Sequence, residues 1–63
     1  MNNKITTFTY CGYQIIVTYD TAHMSCRFDV VNNENKTVMI SKRHYDSPHD
    51  AYVRACMRIN DEL

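Results

Sequence analysis

Glycine and proline are each present once in 63 residues, and that scarcity excludes long flexible linkers and loop-dominated architectures. Charge of either sign is in no excess, since seven Lys and Arg balance seven Asp and Glu. A nucleic-acid binder is expected to carry a basic surplus and a DNA mimic an acidic one, and neither is present. No apolar run approaches the ~18 residues that a bilayer crossing needs. The opening "MNNKITTF" lacks the charged-then-apolar order of a secretory signal, so a cytosolic protein is expected. The three cysteines, an odd number, do not make a secreted disulfide framework. Cys11, Cys26 and Cys56 are therefore read as free thiols. Internal repeats, charge blocks, Gly-rich phosphate loops, G-x-S-x-G and C-x-x-C are absent as well.

What is present has the size of one small domain over residues 1–63, and such a chain buries only about 60% of its unfolded surface. The hydrophobic fraction of 44% and the charged fraction of 22% suit a globular chain rather than a disordered one. "DSPHDAY" marks a helix start: Ser47 as N-cap, Pro48 at the first helical position, and Asp50 near the positive end of the dipole. The spacing predicts a helix over 48–62, with Ala51, Tyr52, Ala55, Cys56, Ile59 and Leu63 on its inner face. Arg54, Arg58 and Asp61 fall opposite, and Asp50–Arg54 and Arg58–Glu62 are four apart, as supporting ion pairs are.

Upstream of the helix the period is two. Tyr13, Ile15, Val17 and Tyr19 alternate with Gln14 and Thr18, Met24, Cys26, Phe28 and Val30 alternate with Ser25, Arg27 and Asp29, and weaker alternation runs over 4–10 and 37–41. Strands over 4–10, 13–19, 24–31 and 37–41 follow. "DTAH" and "NNENK" between them are rich in residues that satisfy their own turn backbone. A two-residue turn at Cys11-Gly12 sets Tyr10 opposite Tyr13, Phe8 opposite Ile15 and Thr6 opposite Val17. A four-residue "DTAH" loop then sets Tyr19 opposite Met24, Val17 opposite Cys26 and Ile15 opposite Phe28. With Val30 opposite Val38 and Phe28 opposite Ile40, all these apolar residues share one side of one antiparallel meander. The expected fold class is α+β, a ββββα chain whose C-terminal helix covers Phe8, Ile15, Val17, Cys26, Phe28, Val30 and Ile40. The other face is left to solvent or a partner, and on it lie Ile5, Thr7, Thr9, Gln14, Ile16, Thr18, Arg27, Asp29, Val31, Met39 and Arg43.

Candidate chemistry is sparse. A reactive cysteine needs a cation, a histidine or a helix N-terminus beside it, and the register places none of these near Cys11. It reads as a turn residue before a glycine, leaving an exposed contact point as its functional option. His23 and Cys26 in "HMSC" do not make the two close pairs of a zinc site, and Cys26 and Cys56 read as buried thiols. One helix on one small sheet leaves little room for converging catalytic groups, so no catalytic residue, metal or cofactor is expected. "SKRHY" is the one basic cluster. Lys42, Arg43 and His44 read either as phosphate contacts or as charges that guard an edge strand. Val53 and Met57, four apart, fall on the helix side away from the sheet, and Tyr and Arg are enriched at interface hot spots. Tyr13, Arg27, Met39, Arg43, Val53 and Met57 are the candidate partner contacts.

A four-stranded meander followed by a helix in so short a chain resembles the accessory proteins of bacteriophages and mobile elements, among them some anti-CRISPR proteins. The resemblance is one of element order over most of the chain and carries no site residue. It implies a phage-encoded inhibitor in the host cytoplasm that binds a host defence complex, though not as an acidic DNA mimic. The order also resembles the sheet-plus-helix arm-binding domains of phage integrases, which lay the open sheet face on DNA. That likeness implies roles for Arg27 and Arg43, against which Asp29 and the zero net charge stand. The leading expectation is a non-enzymatic protein-binding module. The alternatives are a nucleic-acid-binding regulator and a structural homo-oligomer built through the open face or an edge strand.

Overall fold

The structure is a computed structural model that describes residues 3–63. Four strands, β1 (Asn3–Tyr10), β2 (Tyr13–Asp20), β3 (Ser25–Val31) and β4 (Thr37–Ile40), precede one helix, α1 (Pro48–Glu62). All pairings are antiparallel and the strands lie in the order β1-β2-β3-β4, so the expected ββββα architecture is the observed one.

The first hairpin follows the sequence pattern. Tyr10 pairs Tyr13, Phe8 pairs Ile15 and Thr6 pairs Val17. Cys11 at φ 52° and Gly12 at φ 82° are both left-handed, the signature of a two-residue type I′ turn whose twist matches the flanking strands.

The second hairpin departs by two residues. Asp20 pairs Ser25, so Tyr19 meets Cys26, Val17 meets Phe28 and Ile15 meets Val30. The loop is Thr21–Met24 rather than "DTAH" because the Asp20 carboxylate closes it. Asp20 Oδ1 accepts from the Ala22 and His23 N–H groups at 3.0 and 3.4 Å, and Met24, at φ 51°, completes the reversal. A shift of two preserves which face each side chain takes, so Ile15, Val17, Cys26, Phe28 and Val30 are all buried.

The third pairing departs by one, and that changes faces. Val31 pairs Thr37, but Val30 pairs Met39 and Asp29 pairs Ile40, with a bulge at the Val30/Val31 step. The extra residue in β4 turns Met39 into the core, 7% exposed, and Ile40 outward, 61% exposed. Both expectations for this pair are thereby reversed: Met39 is no surface contact, and Ile40 is not under the helix. Asn32 anchors the tight turn that starts the offset. Its side chain accepts from the Glu34 and Lys36 N–H groups at 2.9 and 3.0 Å, and its own N–H donates to the Lys36 carbonyl.

Ser47 caps α1 in extended conformation and its hydroxyl accepts from the Asp50 N–H at 3.2 Å. Ala51, Ala55 and Ile59 are buried, and the two alanines let the helix axis approach the sheet closely. Tyr52 and Cys56 pack at the core margin, where Tyr52 lies 4.5 Å from the Phe8 ring. Leu63, expected on the inner face, is the C-cap and 52% exposed. Arg58, expected on the outer face, turns instead toward the sheet: its Nη1 donates to the Ile40 carbonyl at 2.8 Å. Burying Phe28, Ile15, Val17 and Val30 completely contributes about 1.5–3 kcal/mol per side chain, so this cluster carries the fold.

Candidate functional site

The connection from β4 to α1 is not a plain loop. Ser41 still belongs to the sheet: its N–H donates to the Phe28 carbonyl at 2.9 Å, and its hydroxyl accepts from the Phe28 N–H at 3.3 Å. Tyr45 then returns to the same strand and exchanges backbone hydrogen bonds with Cys26 at 2.7 and 2.8 Å. A regular ladder continued from Asp29–Ile40 would bring Arg43 opposite Cys26. Tyr45 stands there instead, so the chain between the two anchors loops out, and Lys42, Arg43 and His44 are all exposed on it.

The loop is held by stacked side chains. Tyr45 lies 6.0 Å from the Phe28 ring at an interplanar angle of 27°, and Arg43 sits over Tyr45 at 5.3 Å. On the helix side Arg58 lies 5.9 Å from the Phe28 ring centroid. Arg43, Tyr45, Phe28 and Arg58 thus form a file in which a stacked ring pair is flanked by a cation at each end, the two cation–ring contacts worth about 0.5–2 kcal/mol each. Arg43 is therefore not on the open sheet face, where the alternation places it.

Between this loop and the outer side of α1 lies a groove of about 420 Å³. Val53, Met57 and Tyr45 give it an apolar component, and Arg43 and Arg54 supply cations. Asp46, Asp50, His44 and His49 complete the lining. Val53 and Met57 are 40% and 47% exposed, enough to be covered by a partner. Asp50 and Arg54 share this groove without forming the ion pair their spacing predicts, whereas Arg58 and Glu62 do pair, at 2.8 Å. Among the described residues no group of three His, Cys, Asp or Glu side chains could hold a metal ion.

Of the six candidate contacts, the groove brings together Arg43, Val53 and Met57. Tyr13 is half-buried at the far end of the sheet, beside the Cys11-Gly12 turn and Asn32. Arg27 is exposed on the open face, opposite Thr18. Met39 is in the core. Sequence reasoning missed the return of Tyr45 to β3 and the place of Arg54 in the groove. Arg54 was within reach of periodicity, since Asp50, Val53, Arg54 and Met57 follow one helical face. Tyr45 was not, because its position depends on the looped-out residues before it.

The cysteines take three different environments. Cys11 is exposed, Cys56 half-buried and Cys26 fully buried. Burial pushes the Cys26 thiol pKa up, and the Asp46 and Asp50 carboxylates add to it, so it is held as the inert neutral thiol. His23 is engaged with Asp20, Nδ1 to Oδ2 at 2.6 Å, and its side chain is exposed whereas Cys26 is buried. Comparison with protein-family models, with curated proteins and with solved structures gives no match, so the functional reading rests on this geometry.

Proposed function

We propose that this chain is a small non-enzymatic protein-binding module that acts by occluding a surface of a larger complex, and that its contact site is the groove between the looped-out segment and α1. The observation that supports this is the convergence of Arg43, Val53 and Met57 on one groove. Tyrosine and arginine, both enriched at interface hot spots, stand in this mixed polar groove beside exposed Val53 and Met57. The resemblance in element order to phage-borne anti-CRISPR inhibitors makes a CRISPR effector complex the partner to test first. In that case the chain is phage-encoded and works in the host cytoplasm.

The test is affinity capture and inhibition with three forms of the chain: wild type, the groove double variant Arg43→Glu/Met57→Asp, and the open-face variant Arg27→Glu. Inhibition of effector target binding or cleavage that is lost in the groove variant and retained in Arg27→Glu supports the reading. Equal behaviour of the two variants refutes the groove as the contact site.

A second reading is favoured by the display of Lys42, Arg43 and His44 side by side on an extruded loop, the arrangement of a phosphate-contacting segment. It makes the chain a small nucleic-acid-binding regulator. DNA or RNA binding that weakens steeply with salt and is lost in Lys42→Ala/Arg43→Ala would replace the first reading by this one.

A further inference from the structure

The two edges of the sheet are built differently. β4 is four residues long, carries a bulge, and is followed by the extruded Lys42-Arg43-His44 loop. The Ile40 carbonyl on that edge is taken by Arg58. Shortness, bulges, cations and covering side chains are the devices by which proteins prevent an edge strand from pairing. β1 has almost none of them. It runs eight residues as NKITTFTY, pairs β2 in unbroken register from Asn3–Asp20 to Tyr10–Tyr13, and contains no proline and a single charge, Lys4.

The geometry of the first turn says which β1 groups are free. A two-residue type I′ turn makes Tyr10–Tyr13 a hydrogen-bonded pair, so the even-numbered residues of β1 bond to β2. Ile5, Thr7 and Thr9 therefore direct their N–H and C=O groups away from the sheet. We propose that this edge pairs with β1 of a second copy about a two-fold axis at Thr7, giving one continuous eight-stranded antiparallel sheet with both helices on the same face.

Four features select a second copy as the occupant. A two-fold axis perpendicular to the sheet and centred at Thr7, whose N–H and C=O point outward, makes Thr7–Thr7 and Ile5–Thr9 the hydrogen-bonded pairs and sets Thr6 opposite Phe8 on the helix face. The only charge on the strand does not meet itself: Lys4 faces Tyr10 of the second copy, and the two Lys4 side chains lie at opposite ends of the pair. A recess of about 250 Å³ lined by Lys4, Thr6, Val17, Tyr19 and Pro48 opens on the helix face beside this edge. The register brings the second copy's Phe8 and Tyr10 opposite the Lys4 and Thr6 that border it. Finally, α1 packs chiefly over β2 and β3. Across the pair the helices would be about four strand spacings, roughly 19 Å, apart, more than a helix diameter of about 10–12 Å. The edge lies on the other side of the sheet from the proposed groove, so the two readings stand or fall separately.

The experiment is sedimentation equilibrium of the full chain from low micromolar to near millimolar concentration. Wild type is expected to rise toward twice its 7.4 kDa mass, and Thr7→Pro, which removes one outward N–H and no β1–β2 bond, to stay monomeric while keeping its circular dichroism spectrum. The second arm holds even if that variant fails to fold. On the Cys11→Ser background, Thr7→Cys faces its own symmetry mate at a Cα separation of about 5.5 Å, within disulfide range. It is expected to cross-link on mild oxidation, whereas Thr9→Cys, opposite Ile5, is not. A wild-type monomer at every concentration, or equal cross-linking at Thr7 and Thr9, overturns the proposal.

Discussion

Arg58 Nη1 donates to the Ile40 carbonyl at 2.8 Å while its guanidinium carbon stands 5.9 Å from the Phe28 ring centroid. One side chain thereby ties the end of β4, the centre of the core and, through Glu62, the last turn of α1. Its side chain is 16% exposed although the bond to the carbonyl lies at the surface, so the packing of its stem contributes beside the bond. Arg58→Ala is expected to destabilise the domain by about 1–3 kcal/mol, the range for a hydrogen bond to a charged group with its packing. Arg58→Lys should recover less than half, because an ammonium cannot make the fork and lie over the ring at once. Urea unfolding of the three forms measures this, and a loss under about 0.5 kcal/mol for Arg58→Ala would mean that the contact is incidental.

The bulge between Val30 and Val31 makes an opposite pair of expectations for neighbours. Met39 is 7% exposed and Ile40 61% exposed, so Met39→Ala should cost about 2–3 kcal/mol and Ile40→Ala less than about 0.5 kcal/mol. The unbulged register assigns the costs the other way round. Thermal or urea denaturation of the two variants separates the registers directly.

These two residues also mark where the sequence stops being legible. Alternation and turn chemistry specify the β1–β2 register and its turn to the residue, because a two-residue loop admits one register, although each strand extends one residue beyond the expected 4–10 and 13–19. At the second hairpin the loop slid by one position at each end under the pull of Asp20, and the faces survived because the slip was even. At β4 a single inserted residue exchanged Met39 and Ile40. Both are apolar, so hydrophobic pattern alone had no means of preferring either for the core. The groove was half legible for the same reason. Val53 and Met57 followed from helical periodicity, whereas Arg43 and Tyr45 depend on a backbone excursion that is fixed only when Tyr45 finds Cys26 and Phe28.

Cys11 and Gly12 both sit in the left-handed region, which costs a residue with a Cβ about 1 kcal/mol unless its side chain is suited to it. Open space surrounds Gly12, so a methyl group there meets no neighbour and the penalty is one of backbone alone. Gly12→Ala is expected to destabilise by about 1 kcal/mol. Cys11→Asn, which restores the commonest type I′ pair, should stabilise by up to about 1 kcal/mol. Chemical denaturation tests both, and a destabilised Cys11→Asn would show that the thiol makes a contact the turn needs.

Two carboxylates give the stability a defined acid limb. The His23 side chain holds Asp20 below its ordinary pKa of 3.8, aided by the Ala22 and His23 N–H groups. Arg58 holds Glu62 below its ordinary 4.5. A carboxylate depressed in the folded state stabilises the fold above its unfolded pKa, and that contribution is lost as pH falls through the folded value. Both groups lie at the surface, where salt screens them. The urea midpoint should therefore be level at neutral pH, begin to fall as pH drops to about the ordinary carboxylate values, and continue falling below them, less steeply in high salt. In Asp20→Asn/Glu62→Gln the neutral-pH midpoint should be lower and the acid slope shallower. An unchanged slope in the double variant would assign the acid limb to other carboxylates and remove these two pairs from the account of stability.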